Sequence, residues 1–322
     1  MTIKHLCTLI RCTNLIIIAL TMAMVKYLVI DPILEAVLLP PLLTDQLFIM
    51  LVLSVVFVAA GGYAINDYFD TGVDSINKPE RVVVGSALSR RKTLLMHLIV
   101  TAIGIILGLY VGWKVGRPSL GLFHIISAGL LWFYSSSYKK TVLVGNVVIS
   151  LLVALVVLLP LFYEHQIYTS MIDPFGLLQH SYMIMTRVFA YAFFAFMLTL
   201  IREIVKDMED ASGDFQFGIR TMPVVIGITN SKWITGILIV ATIFVLGKLI
   251  KYIWETGNQT LAIYGLAAVI IPLFIALLML IKAQAKQDFN KLSILLKMIM
   301  FSGILSMIVY YATFMGYVPT TF

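Results

Sequence analysis

Nine long apolar segments run along the chain, separated by short polar connections. Most of them reach the length of about 20 residues that a helix needs to cross a bilayer. The fourth is shorter, and Gly121 and Gly129 within it permit close packing against a neighbouring helix. The pattern predicts nine transmembrane helices, centred on residues 12–30, 47–66, 93–112, 119–134, 141–163, 183–203, 233–252, 260–281 and 294–316.

The composition excludes an ordinary soluble protein. Of 322 residues, 61% are hydrophobic and 12% are charged, and the mean hydropathy is +1.00. These values lie far outside the range of soluble globular chains. No linker rich in proline, glycine or serine divides the sequence. We therefore expect an all-α integral membrane protein in which residues 1–322 form one domain.

Lysine and arginine are distributed unequally between the two ends of the predicted helices. Seventeen of the 23 would lie on one side, in the N-terminus and in alternate connections, and six on the other. Because cytoplasmic connections carry the excess of these residues, we expect the N-terminus to be cytoplasmic and the C-terminus to lie outside. The net charge of +7 then indicates topology and gives no support to nucleic-acid binding.

The stretch from Lys282 to Lys297 alternates basic and apolar residues between the eighth and ninth segments. This alternation predicts an amphipathic turn that lies on the anionic leaflet of the membrane.

Acidic residues gather where the second apolar segment ends. Asn66, Asp70 and Asp74, here called the first acidic cluster, are spaced four residues apart. They share one face if the helix continues. Asp67 lies off that face, which leaves it either a supporting residue or a solvated helix end. Each acid placed toward the bilayer centre costs about 2.5–3.5 kcal/mol, so a partner must offset this cost.

A matching group stands at the end of the sixth segment. Asp207, Asp210 and Asp214, here called the second acidic cluster, are spaced three and four residues apart, with Glu203 one turn earlier. The predicted topology places both clusters on the same side of the membrane. Facing carboxylates could not all remain ionised without a cation, because unit charges about 4 Å apart repel by roughly 4 kcal/mol at an effective dielectric constant near 20. A divalent ion would resolve this conflict.

The type of ligand and the neighbouring bases indicate which ion and which substrate. Oxygen ligands without cysteine or histidine favour Mg²⁺, which commonly joins carboxylates to a substrate phosphate. A phosphorylated substrate held in this way at the mouth of an apolar bundle suggests a lipid diphosphate. Basic residues suited to a phosphate lie near both clusters, at Arg81, Lys139, Lys140, Arg202, Lys206 and Arg220.

Two motifs carry a family resemblance. NDYFDTGVD, residues 66–74, resembles the NDxxDxxxD motif of the UbiA superfamily of intramembrane prenyltransferases, and DASGD, residues 210–214, resembles its DxxxD motif. The likeness covers nearly the whole chain and is greatest to the digeranylgeranylglyceryl phosphate synthases. It includes RCTN at 11–14, YKKTVLVGN at 138–146 and RTMPVVIG at 220–227.

The resemblance implies a nine-helix UbiA-like bundle and a role for each motif residue. Asn66, Asp70, Asp74, Asp210 and Asp214 would hold Mg²⁺ against the diphosphate. Asp207 shares their face, and we expect it to support the metal. Arg81 and Lys139 would neutralise the remaining diphosphate oxygens, so the expected catalytic residues are Asp70, Asp210, Arg81 and Lys139. The expected substrate-binding residues are Arg11, Asn14, Arg81, Lys139, Lys140, Arg202, Lys206 and Arg220.

The implied reaction transfers a prenyl group, for this subgroup a geranylgeranyl group, from its diphosphate to a lipid acceptor such as geranylgeranylglyceryl phosphate. Family members that prenylate aromatic or quinone precursors of the menaquinone, ubiquinone, tocopherol, chlorophyll or haem type make an aromatic acceptor the alternative. A cation-coupled transporter is a more distant alternative, because intramembrane acids also mark ion paths.

The expected partners are the prenyl diphosphate, the lipid or aromatic acceptor and membrane lipids, with no nucleic acid. The expected location is the cell (inner) membrane, as a multi-pass protein whose active site faces the cytoplasm.

Overall fold

In the part of the chain that the computed structural model describes, nine helices are long and apolar enough to cross a membrane. That part comprises residues 2–77, 83–169 and 177–317, with side chains described except at 73–77, 168–169, 177–178 and 316–317. The nine predicted spans are confirmed. They are α1 Cys12–Ala36, α2 Asp45–Asn77, α3 Arg90–Lys114, α4 Pro118–Ser136, α5 Val144–Tyr163, α6 Leu177–Gln216, α7 Met222–Glu255, α8 Gln259–Lys282 and α9 Lys286–Tyr317.

Irregular turns interrupt or flank several of these helices. A π-helical segment, Val25–Ile30, lies within α1, and a second, Leu266–Ile270, lies within α8. The first turn of α4, Pro118–Gly121, is 3-10 helical. A short helix, Ile3–Leu9, precedes α1, and a single 3-10 turn, Tyr138–Lys140, connects α4 to α5.

The helices pack as one bundle around α2, α5 and α6. Helix α2 packs against α3 and α4, whereas α6 packs against α5, α7 and α9. Helix α1 contacts α2, α5 and α9 and so joins the two groups. Large apolar side chains remain exposed on the outer surface, among them Ile106, Trp233 and Phe244. In a bilayer such side chains face lipid, as expected for a multi-pass membrane protein.

The two helices that carry the acidic clusters are longer than their apolar runs. Helix α2 continues to Asn77 and α6 continues to Gln216. The backbone therefore remains helical through all six cluster positions, and the spacing places each cluster on one helical face.

The connection between α8 and α9 differs from the sequence prediction. Helix α9 begins at Lys286, so only three residues separate it from α8, and the predicted amphipathic turn from Lys282 to Lys297 is wrong. Phe289, Leu292 and Leu296 are buried against the bundle. The apolar positions in this stretch thus form the packed face of α9.

A close backbone approach fixes the turn that carries Lys139. A Cβ added to Gly145, in the first turn of α5, would lie 2.9 Å from Lys139 Cα and 3.1 Å from the carbonyl oxygen of Tyr138. Arg220 N, just before α7, donates to the Lys140 carbonyl at 3.2 Å. These contacts bring the end of α4 and the start of α7 to the same end of the bundle.

Candidate active site

Tyr134, near the end of α4, lies between the two acidic clusters. Its phenol is within electrostatic range of Asp70 on α2 and of Glu203 and Asp207 on α6. Helices α2 and α6 also contact each other directly. The structure therefore brings both clusters to one end of the bundle, as the predicted topology requires.

The first acidic cluster centres on Asp70. Asn66 Nδ2 donates to Asp70 Oδ2 at 2.7 Å, which confirms that positions four residues apart share a face. Lys139 forms an ion pair with the other oxygen, Asp70 Oδ1. Both side chains of this ion pair are largely buried. Lys139, which was predicted to bind a phosphate, thus lies beside Asp70, a predicted metal ligand.

The second acidic cluster is held by polar partners from two neighbouring helices. Asn146 Nδ2, on α5, donates to Asp207 Oδ2 at 2.7 Å. Thr221 Oγ1, at the start of α7, donates to Asp214 Oδ2 at 3.1 Å. Asp214 is buried, with 7% of its surface exposed. The orientation of these carboxylates is therefore set from outside α6.

Asn146 is a site residue that the sequence reasoning missed. It is 8% exposed and lies in the first turn of an otherwise apolar helix. An amide in such a helix needs a hydrogen-bond partner on another helix, and this requirement is the signal that could have drawn attention to it.

Two of the predicted phosphate-binding cations flank Glu203. Arg202 Nη1 lies 2.7 Å from Glu203 Oε1, and Lys206 Nζ lies 3.7 Å from Glu203 Oε2. Of the remaining predicted cations, Lys140 and Arg220 are exposed and adjoin each other through their backbone hydrogen bond.

The start of α1 is tied to α2 at two residues that lie about one and two helical turns before Asp70. Arg11 Nη2 donates to Asp67 Oδ1 at 3.3 Å, and the guanidinium lies 4.8 Å from the centre of the Tyr63 ring. Asn14 Nδ2 donates to the Tyr63 hydroxyl at 3.3 Å. Asp67 is thus paired, and only 15% of its side chain is exposed. This burial favours a supporting role over a solvated helix end.

The ligand chemistry of the two clusters fits Mg²⁺, although their described side chains do not form one compact group of acids. No three acidic, histidine or cysteine side chains among the described residues lie close enough together to hold a metal ion. The available donors are carboxylate and amide oxygens, which suit Mg²⁺. The side chain of Asp74, a predicted metal ligand, and Arg81, predicted to bind the diphosphate, lie outside the described part of the chain.

Comparison with known proteins gives the family. The sequence matches the UbiA prenyltransferase family over residues 15–315. The chain belongs to the UbiA prenyltransferase family. The resemblance based on the two acidic motifs is therefore confirmed.

Several curated relatives carry the name digeranylgeranylglyceryl phosphate synthase. The chain is 36% identical over 174 residues to the digeranylgeranylglyceryl phosphate synthase of Ignicoccus hospitalis, a match that covers 54% of this chain and 52% of that protein. It is 31% identical over 254 residues to the enzyme of the same name from Saccharolobus solfataricus, which covers 79% and 81% of the two chains. The match thus spans about half of the first relative and four fifths of the second.

Solved structures share the UbiA fold. A structure described as digeranylgeranylglyceryl phosphate synthase superposes with a TM-score of 0.66 and 23% identity, covering 96% of this chain and 98% of that one. A UbiA homologue from Archaeoglobus fulgidus bound to DMAPP and Mg²⁺ superposes with a TM-score of 0.56 and 16% identity, covering 94% and 99%. At these identities the likeness establishes the nine-helix fold.

Proposed function

We propose that this protein is a Mg²⁺-dependent prenyltransferase that transfers a geranylgeranyl group from its diphosphate to geranylgeranylglyceryl phosphate and releases pyrophosphate. One observation carries the proposal: Tyr134 lies within range of both acidic clusters, at the end of the bundle where Lys139 pairs with Asp70. The name of the relatives supports the choice of acceptor. The UbiA homologue bound to DMAPP and Mg²⁺ supports the choice of donor and metal.

Each acidic cluster has a distinct task in this proposal. Asn66, Asp70 and Asp74 would hold the metal from α2, and Asp207, Asp210 and Asp214 would hold it from α6. When bound, Mg²⁺ would neutralise diphosphate oxygens and stabilise the charge that develops on the leaving group. Lys139 and Arg81 would donate to diphosphate oxygens, and their fixed positive charge favours the transition state over the ground state.

The bond changes follow from the two substrates. An acceptor hydroxyl oxygen forms a bond to C1 of the geranylgeranyl group as the bond from C1 to the diphosphate oxygen breaks. The bonding electron pair leaves with pyrophosphate, and the hydroxyl proton is released. Tyr134, near both acidic clusters, and Phe69, which packs edge-on to Trp132, would shield the allylic carbon.

The proposal includes an orientation. We infer that the protein lies in the cell (inner) membrane as one domain, with the N-terminus and active site cytoplasmic and the C-terminus outside. The distribution of lysine and arginine, seventeen against six, supports this orientation. The remaining predicted substrate residues, Arg11, Asn14, Lys140 and Arg220, would then line the cytoplasmic entrance.

The test is a transfer assay with purified protein in detergent, Mg²⁺, geranylgeranyl diphosphate and a panel of acceptors. We expect pyrophosphate release with prenylation of geranylgeranylglyceryl phosphate, and a loss of at least about 100-fold in Asp70→Ala and Asp210→Ala. Glu255→Ala, which removes an exposed acid at the opposite end of the bundle, serves as control.

Two results would contradict different parts of the proposal. Full activity in both aspartate variants would overturn the metal assignment. Consumption of a quinone precursor, with no reaction of the glycerol phosphate lipid, would overturn the choice of acceptor alone.

A further inference from the structure

Three basic side chains lie on α6 and α9, two helices that pack against each other. Arg202 and Lys206 are one helical turn apart on α6, and both are near Glu203, at 2.7 Å and 3.7 Å. Lys297, on α9, lies within electrostatic range of Arg202. The sequence had placed Lys297 among the cytoplasmic cations and in the amphipathic turn that the structure overturns. We call these three residues the α6–α9 basic cluster.

The α6–α9 basic cluster retains hydrogen-bond donors for an anion. Glu203 is the acid that pairs with it. Arg202 Nε is buried and has no hydrogen-bond partner, and Lys297 has no acidic partner within ion-pair distance among the described residues. A buried donor without a partner costs free energy, so this arrangement favours a bound anion.

Two neighbouring acids, Asp207 and Asp214, have hydrogen-bond partners outside this cluster. Asp207 accepts from Asn146, and Asp214 accepts from Thr221. Both acids lie on the face of α6 directed toward α5 and α7, whereas Arg202 is next to α9. Helix α6 therefore carries the predicted metal-binding acids on one face and Arg202, a predicted anion-binding residue, on the adjacent face.

Glu203, the acid that pairs with the α6–α9 basic cluster, also lies near the proposed reaction site. Glu203 is within electrostatic range of both Tyr134 and Asp207. The proposed reaction brings together a diphosphate and an acceptor that has its own phosphate. Because the two anions repel each other, each needs its own positive charges. Lys139 already serves the diphosphate side, through its contact with Asp70.

We propose that Arg202, Lys206 and Lys297 bind the phosphate of the acceptor lipid, separately from the diphosphate. This assignment rests on the proposed function, since it requires an acceptor that carries a phosphate. Arg202 supplies planar, paired donors and the two lysines supply point charges, a combination suited to a phosphate monoester.

The decisive variant is Lys297→Gln, with Lys291→Gln on the same helix as the matched control. For geranylgeranylglyceryl phosphate we expect the KM of Lys297→Gln to rise at least about tenfold, the usual effect of losing a charge-assisted hydrogen bond. The kcat and the KM for geranylgeranyl diphosphate should stay within about twofold of the parent. Lys297→Arg should restore most of the affinity.

Two further measurements separate phosphate recognition from a structural effect. Geranylgeranylglycerol, which lacks the phosphate, should react equally slowly with the parent and with Lys297→Gln. Without Mg²⁺ or diphosphate, geranylgeranylglyceryl phosphate should raise the melting temperature of the parent and of Lys291→Gln, but not of Lys297→Gln. Phosphatidylglycerol should produce no such increase.

Several outcomes would overturn the assignment. An unchanged acceptor KM in Lys297→Gln and Arg202→Gln would show that these cations are only solvated. A raised KM for geranylgeranyl diphosphate would assign them to the diphosphate, and an equal response to phosphatidylglycerol would assign them to bulk lipid. If the parent prenylates an aromatic acceptor and not the phosphorylated one, both the proposed function and this assignment fail. If the parent prenylates the phosphorylated acceptor but its KM does not depend on these cations, this assignment fails alone.

Discussion

The contact between Asn146 and Asp207 joins an uncharged residue of α5 to the second acidic cluster. Its length is 2.7 Å, and Asn146 is buried. Partners that orient metal-binding carboxylates typically contribute 10- to 100-fold to metal affinity or activity. The side chain of Asn146 therefore belongs to the machinery of the site, although it carries no charge.

We predict that Asn146→Ala lowers kcat/KM by about 10- to 100-fold and raises the Mg²⁺ concentration needed for half-maximal rate. Asn146→Asp, which has nearly the same shape, should be at least as damaging, because two carboxylates would then face each other. Ser150→Ala is the control, since Ser150 bonds only to the backbone carbonyl of Asn146. Manganese binding followed by electron paramagnetic resonance gives a readout independent of turnover, and an unchanged affinity in both Asn146 variants would contradict the prediction.

Asp67 and Asp70 lie three residues apart on α2, and we expect them to respond very differently to substitution by asparagine. Asp67 pairs with Arg11, whose side chain is 39% exposed, and such partly exposed ion pairs contribute about 0–1 kcal/mol. We therefore predict at most about a fivefold loss of kcat/KM in Asp67→Asn. Asp70→Asn should lose at least about 100-fold. Similar losses in the two variants would show that Asp67 takes a direct part in the chemistry.

Sequence spacing predicted which residues share a face, but it did not predict their partners on other helices. The hydrogen bond from Asn66 to Asp70 confirms the four-residue spacing. The partners of Asp67 and Asp207 lie 56 and 61 positions away in the sequence. Periodicity describes one helix at a time, so contacts across helices required the folded structure.

At the scale of elements, the turn Tyr138–Lys140 depends on a glycine in the next helix. Gly145→Ala would place a Cβ 2.9 Å from the backbone of Lys139, and backbone atoms cannot rotate away as a flexible side chain can. The turn would have to move, together with Lys139, and a displacement of about 1 Å at a reacting group can cost about 100-fold in rate. We predict a loss of kcat of at least about tenfold with a modest decrease in melting temperature.

Gly129→Ala is the matched control for this prediction. Gly129 lies in α4, and a Cβ there would have no neighbour within 4 Å. Alanine is favoured over glycine within a helix by up to about 1 kcal/mol, so this variant should be at least as stable and as active as the parent. Equal activity of the two alanine variants would show that the close approach at Gly145 does not position Lys139.

The number of helices could be predicted from hydropathy, whereas their ends and irregular turns could not. The sixth apolar run covers residues 183–203, yet α6 ends at Gln216. Hydropathy detects only the part that lies in hydrocarbon, while backbone hydrogen bonds continue the helix into water. The π segment Val25–Ile30 contains the charged Lys26, and Pro32 and Pro272 follow the two π segments by two residues. Hydropathy averaged over a window does not register either signal.

At the scale of the whole molecule, the bundle has one chemically active end. The ion pair of Lys139 with Asp70, the bond from Asn146 to Asp207 and the backbone bond between Arg220 and Lys140 all lie there. The sequence predicted that both acidic clusters lie on the same side of the membrane, because the second and sixth of nine consecutive spans end on the same side. The side of the membrane on which that end lies rests on the distribution of lysine and arginine alone.

Labelling of single cysteines tests the orientation in membranes. With Cys7 and Cys12 replaced by serine, Thr256→Cys places an exposed thiol between α7 and α8, and Gln284→Cys places one between α8 and α9. If the N-terminus is cytoplasmic, an odd number of spans precedes Thr256 and an even number precedes Gln284. A membrane-impermeant maleimide should therefore label Thr256→Cys in intact cells, and should label Gln284→Cys only after the membrane is opened. The opposite pattern would place the acidic clusters outside, away from a cytoplasmic supply of prenyl diphosphate, and would overturn the proposed orientation while leaving the chemistry of the site unchanged.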